Sequence, residues 1–246
     1  MATILMPLPS RDFDPSETGI PWRMLSAAGH RFVIATPDGA AGAADPRMVT
    51  GQGLGLLASV LKADRNGLAA YEALRASPEF CNPIAYDAIA GRSFDALLLP
   101  GGHAKGMRSY LESPLLQSVV AGFFAVGKPV GAICHGVVLA ARSQAASGRS
   151  VLHGRRTTSL LRSQEILAWT LTRLWLGDYY RTYPQTVEDE VIAALADKTD
   201  FERGPNSFSR DTPERPDGFA VIDGSYVSAR WPGDAHRFSV ALGALL

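Results

Sequence analysis

The side chains able to do chemistry gather at one corner of this chain. The run Gly131-Ala132-Ile133-Cys134-His135-Gly136 carries an apolar segment straight into a predicted helix, with a thiol at the junction. A side chain on so tight a strand–helix corner projects above the sheet, as in a nucleophile elbow. The spacing is not a strict G-x-S-x-G, because Ala132 stands where the first glycine would be. Free N–H groups at a helix start favour a thiolate, so Cys134 is expected to alkylate faster than Cys81. His135 beside it can act as acid and base near neutral pH. The competing reading of Cys134 is a small buried hydrophobe. A second run, Leu97-Leu98-Leu99-Pro100-Gly101-Gly102-His103, ends another apolar segment in a Gly-Gly turn. Ligands of open α/β sheets bind at that strand edge. Backbone N–H groups of Gly102 and His103, with that of His135, would hold an oxyanion opposite Cys134. Taken alone, Gly101-Gly102 is equally an ordinary turn.

Both corners need strands and helices in alternation, and the sequence supplies them. Apolar runs at 2–6, 32–35, 95–99 and 129–133 read as strands ending in turn residues,. Helices are expected over 16–28, stopped by Gly29, over 113–126, with Ser113 as cap and Pro114 in the first turn, and over 136–146,. Buried strands joined by helices mean a mainly parallel sheet with right-handed crossovers, a three-layer α/β/α sandwich of flavodoxin-like architecture. Residues 219–222 and 226–229 flank Asp223-Gly224, a hairpin signal, and a final helix follows Pro232-Gly233,. Three stretches interrupt the rhythm. Residues 39–83 are rich in Ala and Gly, with a helix expected around 68–76; residues 204–216 form a loop rich in Pro, Arg and Asp. Residues 160–195 form a helical insertion bearing Trp169, Trp175, Tyr179, Tyr180 and Tyr183, broken at Pro184. With no linker or repeat, the chain reads as a single domain, 1–246, with that insertion. Core packing or a subunit interface is favoured for it over a lid that would set Tyr179, Tyr180 or Arg181 on substrate, with Trp175 expected as a buried anchor.

Composition excludes several classes. The 246 residues hold 24 Lys plus Arg against 24 Asp plus Glu, without a basic block, which argues against nucleic acid as a partner,. The apolar share of 46% suits a globular core,. Two cysteines neither staple such a fold nor build a Cys-rich zinc site, and Cys81 is read as incidental,. His30, His153 and His236 show no metal-ligand spacing, so neither a metal nor another cofactor is expected. The start of the chain has no basic leader, and 115–141 is broken by Lys128-Pro129, so neither a signal peptide nor a membrane partner is expected and the location is read as cytoplasmic,.

Ala-Ile-Cys-His-Gly at 132–136, after the Leu-Leu-Leu-Pro-Gly-Gly-His strand, resembles the ThiJ/PfpI family of class I glutamine-amidotransferase-like proteins. Asp14-Pro15-Ser16-Glu17 with Pro21-Trp22, Ala35-Thr36-Pro37-Asp38-Gly39 and Arg230-Trp231-Pro232-Gly233-Asp234-Ala235-His236 are similar to its other motifs. The resemblance implies that Cys134 is the nucleophile. His135 matches the adjacent histidine of the heat-shock-chaperone/glyoxalase III branch, and Glu17 the carboxyl against the thiol. From the residues alone Glu17 is a solvated first-turn glutamate. Glu165, following Gly154-Arg155-Arg156-Thr157-Thr158, is the candidate third member that would orient the histidine. The function implied is glyoxalase III-like conversion of a small 2-oxoaldehyde to a 2-hydroxy acid without a cofactor. A cysteine amidase or peptidase using the same Cys134-His135 pair, and a non-catalytic stress chaperone or redox sensor, are the alternatives. The family also implies a homodimer.

Overall fold

The computed structural model describes residues 1–205 and 208–246. Its elements begin with β1 (Thr3–Pro7), α1 (Pro15–Ala27), β2 (Arg31–Thr36), α2 (Arg65–Arg75), β3 (Ile84–Ala85) and β4 (Ala96–Leu99). Then come α3 (Pro114–Ala125), β5 (Val130–Ile133), α4 (Gly136–Arg142), α5 (Arg162–Leu176) and α6 (Val187–Ala194). The chain closes with β6 (Ala220–Asp223), β7 (Tyr226–Ala229) and α7 (Ala235–Gly243).

Among the described residues the main sheet has seven strands in the order β3-β2-β1-β4-β5-β7-β6, all pairs parallel except the β6/β7 hairpin. Every residue of β4 and β5 is buried, which is why these strands are continuous apolar runs instead of alternating ones,. Helix α1 packs on α2 and α7, while α4 packs on α3 and α6, completing an α/β/α sandwich. The strand order reverses at β1, so the carboxyl ends of β1, β4 and β5 open beside a topological switch point,.

Capping places the elements that matter. Asp14 accepts from the amides of Ser16 and Glu17 at 2.8 and 3.0 Å, starting α1 one turn before the sheet edge,. Ser113 caps α3 with Pro114 in its first turn, as expected. The expected helix over 136–146 is shorter, ending at Arg142, because the Ser143 hydroxyl turns back onto Leu139 O,.

The stretch 39–83 holds more structure than its composition suggests. Besides α2 it contains the short helices Pro46–Thr50, Ala58–Leu61 and Pro78–Cys81. Asp45-Pro46 and Ser77-Pro78 are cap-plus-proline starts that were there to be read. Thr157 makes one isolated bridge to Phe201, so 154–158 is not a strand. The insertion at 160–195 is two helices, α5 and α6, joined by an irregular segment from Gly177 (φ 56). Trp175 is 51% exposed, its indole N–H donating to Gly53 O, so within one chain it is no buried anchor. In the loop expected at 204–216, Asn206 and Ser207 lie outside the described residues.

One contact ties the fold to the site. A Cβ placed on Gly136 would lie 2.1 Å from Leu99 O and 2.8 Å from Pro100 O, both backbone atoms that cannot swing away. Gly136→Ala is therefore expected to separate β4 from the start of α4 and to cost about 1–3 kcal/mol or more. Urea unfolding measures that loss.

Candidate functional site

Cys134 leaves β5 at φ 56, a left-handed conformation that is strained for a side chain of this kind and clusters at functional sites,. Its amide still donates to Ala229 O at 3.0 Å, so the strand continues up to the bend. The elbow expected from 131–136 is present as geometry.

Three segments close on the thiol. The first is the turn after β4. A Cβ on Gly101 would meet Glu17 Oε2 at 2.6 Å, His135 N at 2.7 Å and Cys134 Cβ at 2.9 Å, so only glycine lets the turn come this close,. Gly102 and His103, the candidate oxyanion residues, line the same cavity as Cys134.

The second segment is α1. Glu17 is fully buried, not solvated: Oε2 accepts the Gly101 amide at 3.0 Å, while Oε1 is buried without a partner. Burial, reinforced by the Asp14 charge, holds Glu17 well above the usual carboxylate range,. Burial raises Asp14 as well. Burial also pushes the Cys134 thiol well up, with the Glu17 and Asp14 charges adding to it. This overturns the expectation of a thiolate, since desolvation and like charge outweigh the helix start. Burial thus pushes both the Cys134 thiol and the Glu17 carboxyl towards their neutral forms,.

The third segment joins α5 to α6. Thr182 Oγ1 donates to His103 O at 2.5 Å and lies 3.0 Å from His135 Nε2. A hydroxyl has one hydrogen, and the carbonyl takes it. Thr182 must therefore accept from His135 Nε2–H, which leaves Nδ1 as a lone pair 3.5 Å from Cys134 Sγ,. Burial lowers the His135 pKa to about 3, in keeping with a neutral ring,. Arg108 anchors this segment through Thr182 O, at 3.0 and 2.6 Å.

Glu165 is not the partner of His135. Its Oε2 accepts from Val187 N at 2.9 Å and its Oε1 faces Arg181 at 3.5 Å. It lines the cavity, and burial raises its pKa to about 7. The position expected of a third carboxylate is held by the Thr182 hydroxyl, a residue that no local motif marks. Asp14 and Arg210 also line the cavity without having been singled out.

The cavity measures about 150 Å³. It is lined by Asp14, Glu17, Gly102, His103 and Cys134 together with Met48, Leu160, Gln164, Glu165, Ala168 and Tyr180. Val60, Leu61, Phe208, Arg210, Trp231 and Pro232 complete the lining. The insertion is thus a wall over the thiol, and Tyr180 stacks on the His103 ring at 4.4 Å. Searched for among the described residues, a cluster of three or more His, Cys, Asp or Glu able to hold a metal ion is not found. Among the described residues, no helix is long and apolar enough to cross a membrane.

Two outcomes follow from these proton affinities. At neutral pH the exposed Cys81 is expected to take iodoacetamide before Cys134, whose rate rises only towards alkaline pH,. Glu17→Gln removes the carboxylate charge that opposes the thiolate at the alkaline pH where Cys134 ionises, so it moves the Cys134 alkylation profile to lower pH; peptide mass mapping across pH reads both. Glu165 binds its proton more tightly folded than unfolded. Its stabilising contribution is complete below pH 4.5 and is lost as pH rises through about 7,. Glu165→Gln is expected to flatten that decline, on the order of 3 kcal/mol, between unfolding curves at about pH 4 and about pH 8.

Comparison with known proteins places the chain in a family. Residues 8–196 match the description "ThiJ/PfpI family-like". A deglycase of Pyrococcus abyssi (strain GE5 / Orsay) is 30% identical over 155 residues, 63% of this chain and 64% of that protein, so the chain matches less than two thirds of this relative's length. Glyoxalase III from Candida albicans superposes with a TM-score of 0.67 at 18% identity, over 100% of this chain and 97% of that one. The 24 kDa Rapid Encystment Protein of Francisella tularensis superposes at 0.73 with 19% identity, over 99% and 98%. The family match spans the elbow, the Gly-Gly turn and the first turn of α1, and the chain belongs to the ThiJ/PfpI family.

Proposed function

We propose that this chain is a cofactor-independent cysteine enzyme that converts a small 2-oxoaldehyde to the corresponding 2-hydroxy acid. The observation carrying this reading is the pair of proton-handling groups beside one buried sulfur. Glu17 presents an unpartnered Oε1 on the cavity, and His135 presents an Nδ1 lone pair. A deglycase among the curated relatives and a glyoxalase III among the structural neighbours support carbonyl chemistry.

Cys134 Sγ bonds to the aldehyde carbon. Its proton passes to His135 Nδ1, and the Glu17 carboxyl proton passes to the aldehyde oxygen, giving a hemithioacetal. Glu17, now a carboxylate, removes the C1 hydrogen as a proton, and His135 returns its own to the C2 oxygen. The enediol then takes a proton at C2 from Glu17 and gives its C1 hydroxyl proton to His135, leaving a thioester. Water adds to C1, its proton going to Glu17, and sulfur leaves with the proton of His135. C1 is oxidised and C2 reduced by the same two electrons, so no outside oxidant enters. The low proton affinity of His135 keeps the imidazolium brief, formed only opposite the Glu17 carboxylate or the substrate oxyanion.

The test is lactate formation from methylglyoxal without added thiol. Cys134→Ser is expected to abolish it and Glu17→Gln to slow it by about 10²–10⁴-fold. Absence of any Cys134-dependent lactate formation rules the reading out.

A further inference from the structure

We infer that the cavity over Cys134 selects 2-oxoaldehydes whose second substituent is a ring-sized apolar group, a preference that rests on the reaction proposed above. Two residues lining the cavity beside Cys134 carry polar atoms that suit a two-oxygen head. Glu17 Oε1 and His103 Nε2 are both buried without a partner there. Two adjacent carbonyl oxygens at Cys134 meet that need.

The walls serve a different kind of group. Met48, Leu61, Leu160 and Ala168 offer a ligand no hydrogen bonds, and the Tyr180 ring lies flat on His103. Of the polar wall residues, Gln164, Glu165 and Arg210 are engaged, whereas the Tyr180 hydroxyl and the Trp231 indole nitrogen are buried without a partner. Gln164 Oε1 accepts from Leu161 N at 3.4 Å, and Glu165 is held by Val187 N and Arg181. Arg210 sets its guanidinium over Trp231, 5.4 Å from the ring centroid, and donates to Lys62 O at 3.2 Å. A ring laid against Met48, Leu61, Leu160 and Ala168 would bury more apolar area than a methyl group,. Volume points the same way: about 150 Å³ is the size of an apolar cavity known to take a benzene ring,. A methyl group would leave most of it unfilled.

The expected result is a kcat/KM for phenylglyoxal at least about ten-fold above that for methylglyoxal, from the additional apolar area buried. Ala168→Phe, which fills the wall, is expected to bring that ratio towards one. Equal efficiencies in the wild type, or a preference for methylglyoxal, overturn the inference while leaving the proposed reaction intact. If neither aldehyde shows Cys134-dependent turnover, the reaction fails and binding decides the cavity. Acetophenone protecting Cys134 from iodoacetamide at a concentration about ten-fold or more below that needed for acetone then supports the apolar site. Equal protection, or none by either ketone, overturns it.

Discussion

A clearance between two backbones governs this molecule. Gly136 at the start of α4 lies against the carbonyls of Leu99 and Pro100 at the end of β4, where even a methyl group has no space. Beside that approach Cys134 takes its left-handed bend, and the Gly101 turn, the Cys134 Cβ and the Glu17 carboxyl lie within a few ångströms of one another. The packed sheet on either side holds the strain in place, since the residues of β4 and β5 are all buried. The chemistry therefore rests on the stiffest part of the fold and not on a loop.

Such closeness sets the electrostatics. A sulfur, two carboxyl groups and two imidazoles share a region with little water. Each is pushed towards its neutral form: thiol and carboxyls up, imidazoles down,. A buried site with this many titratable groups avoids the cost of isolated charge by storing protons instead of charges. The Thr182 hydroxyl completes the scheme, since a neutral acceptor fixes the His135 tautomer without stabilising an imidazolium as a carboxylate would.

The sequence was informative where local rules decide. Apolar runs, caps and the Asp223-Gly224 turn located the strands and main helices because those signals act over a few residues. Cys134, His135 and the Gly-Gly turn were legible for the same reason, being adjacent in sequence to the bend that uses them. Glu17 was not: from its own neighbourhood it is a solvated helix-start residue, and only the family resemblance placed it against the thiol. Thr182 and Glu165 show the limit most clearly. Both lie in the 160–195 insertion, and which one reaches His135 depends on how Arg108 anchors the segment between α5 and α6, a contact 74 residues away. Proton affinity was misjudged for a related reason: the helix start is visible in sequence, whereas burial and the Asp14 and Glu17 charges exist only in the folded chain.

The segment between α5 and α6 does two jobs with adjacent side chains. Tyr180 closes the cavity over His103, and Thr182, two residues on, orients the ring of His135. A change that enlarges or narrows the pocket by shifting this stretch also turns the base. Substrate range and turnover are thereby linked through one short piece of backbone, so a lineage could widen one here only by disturbing the other.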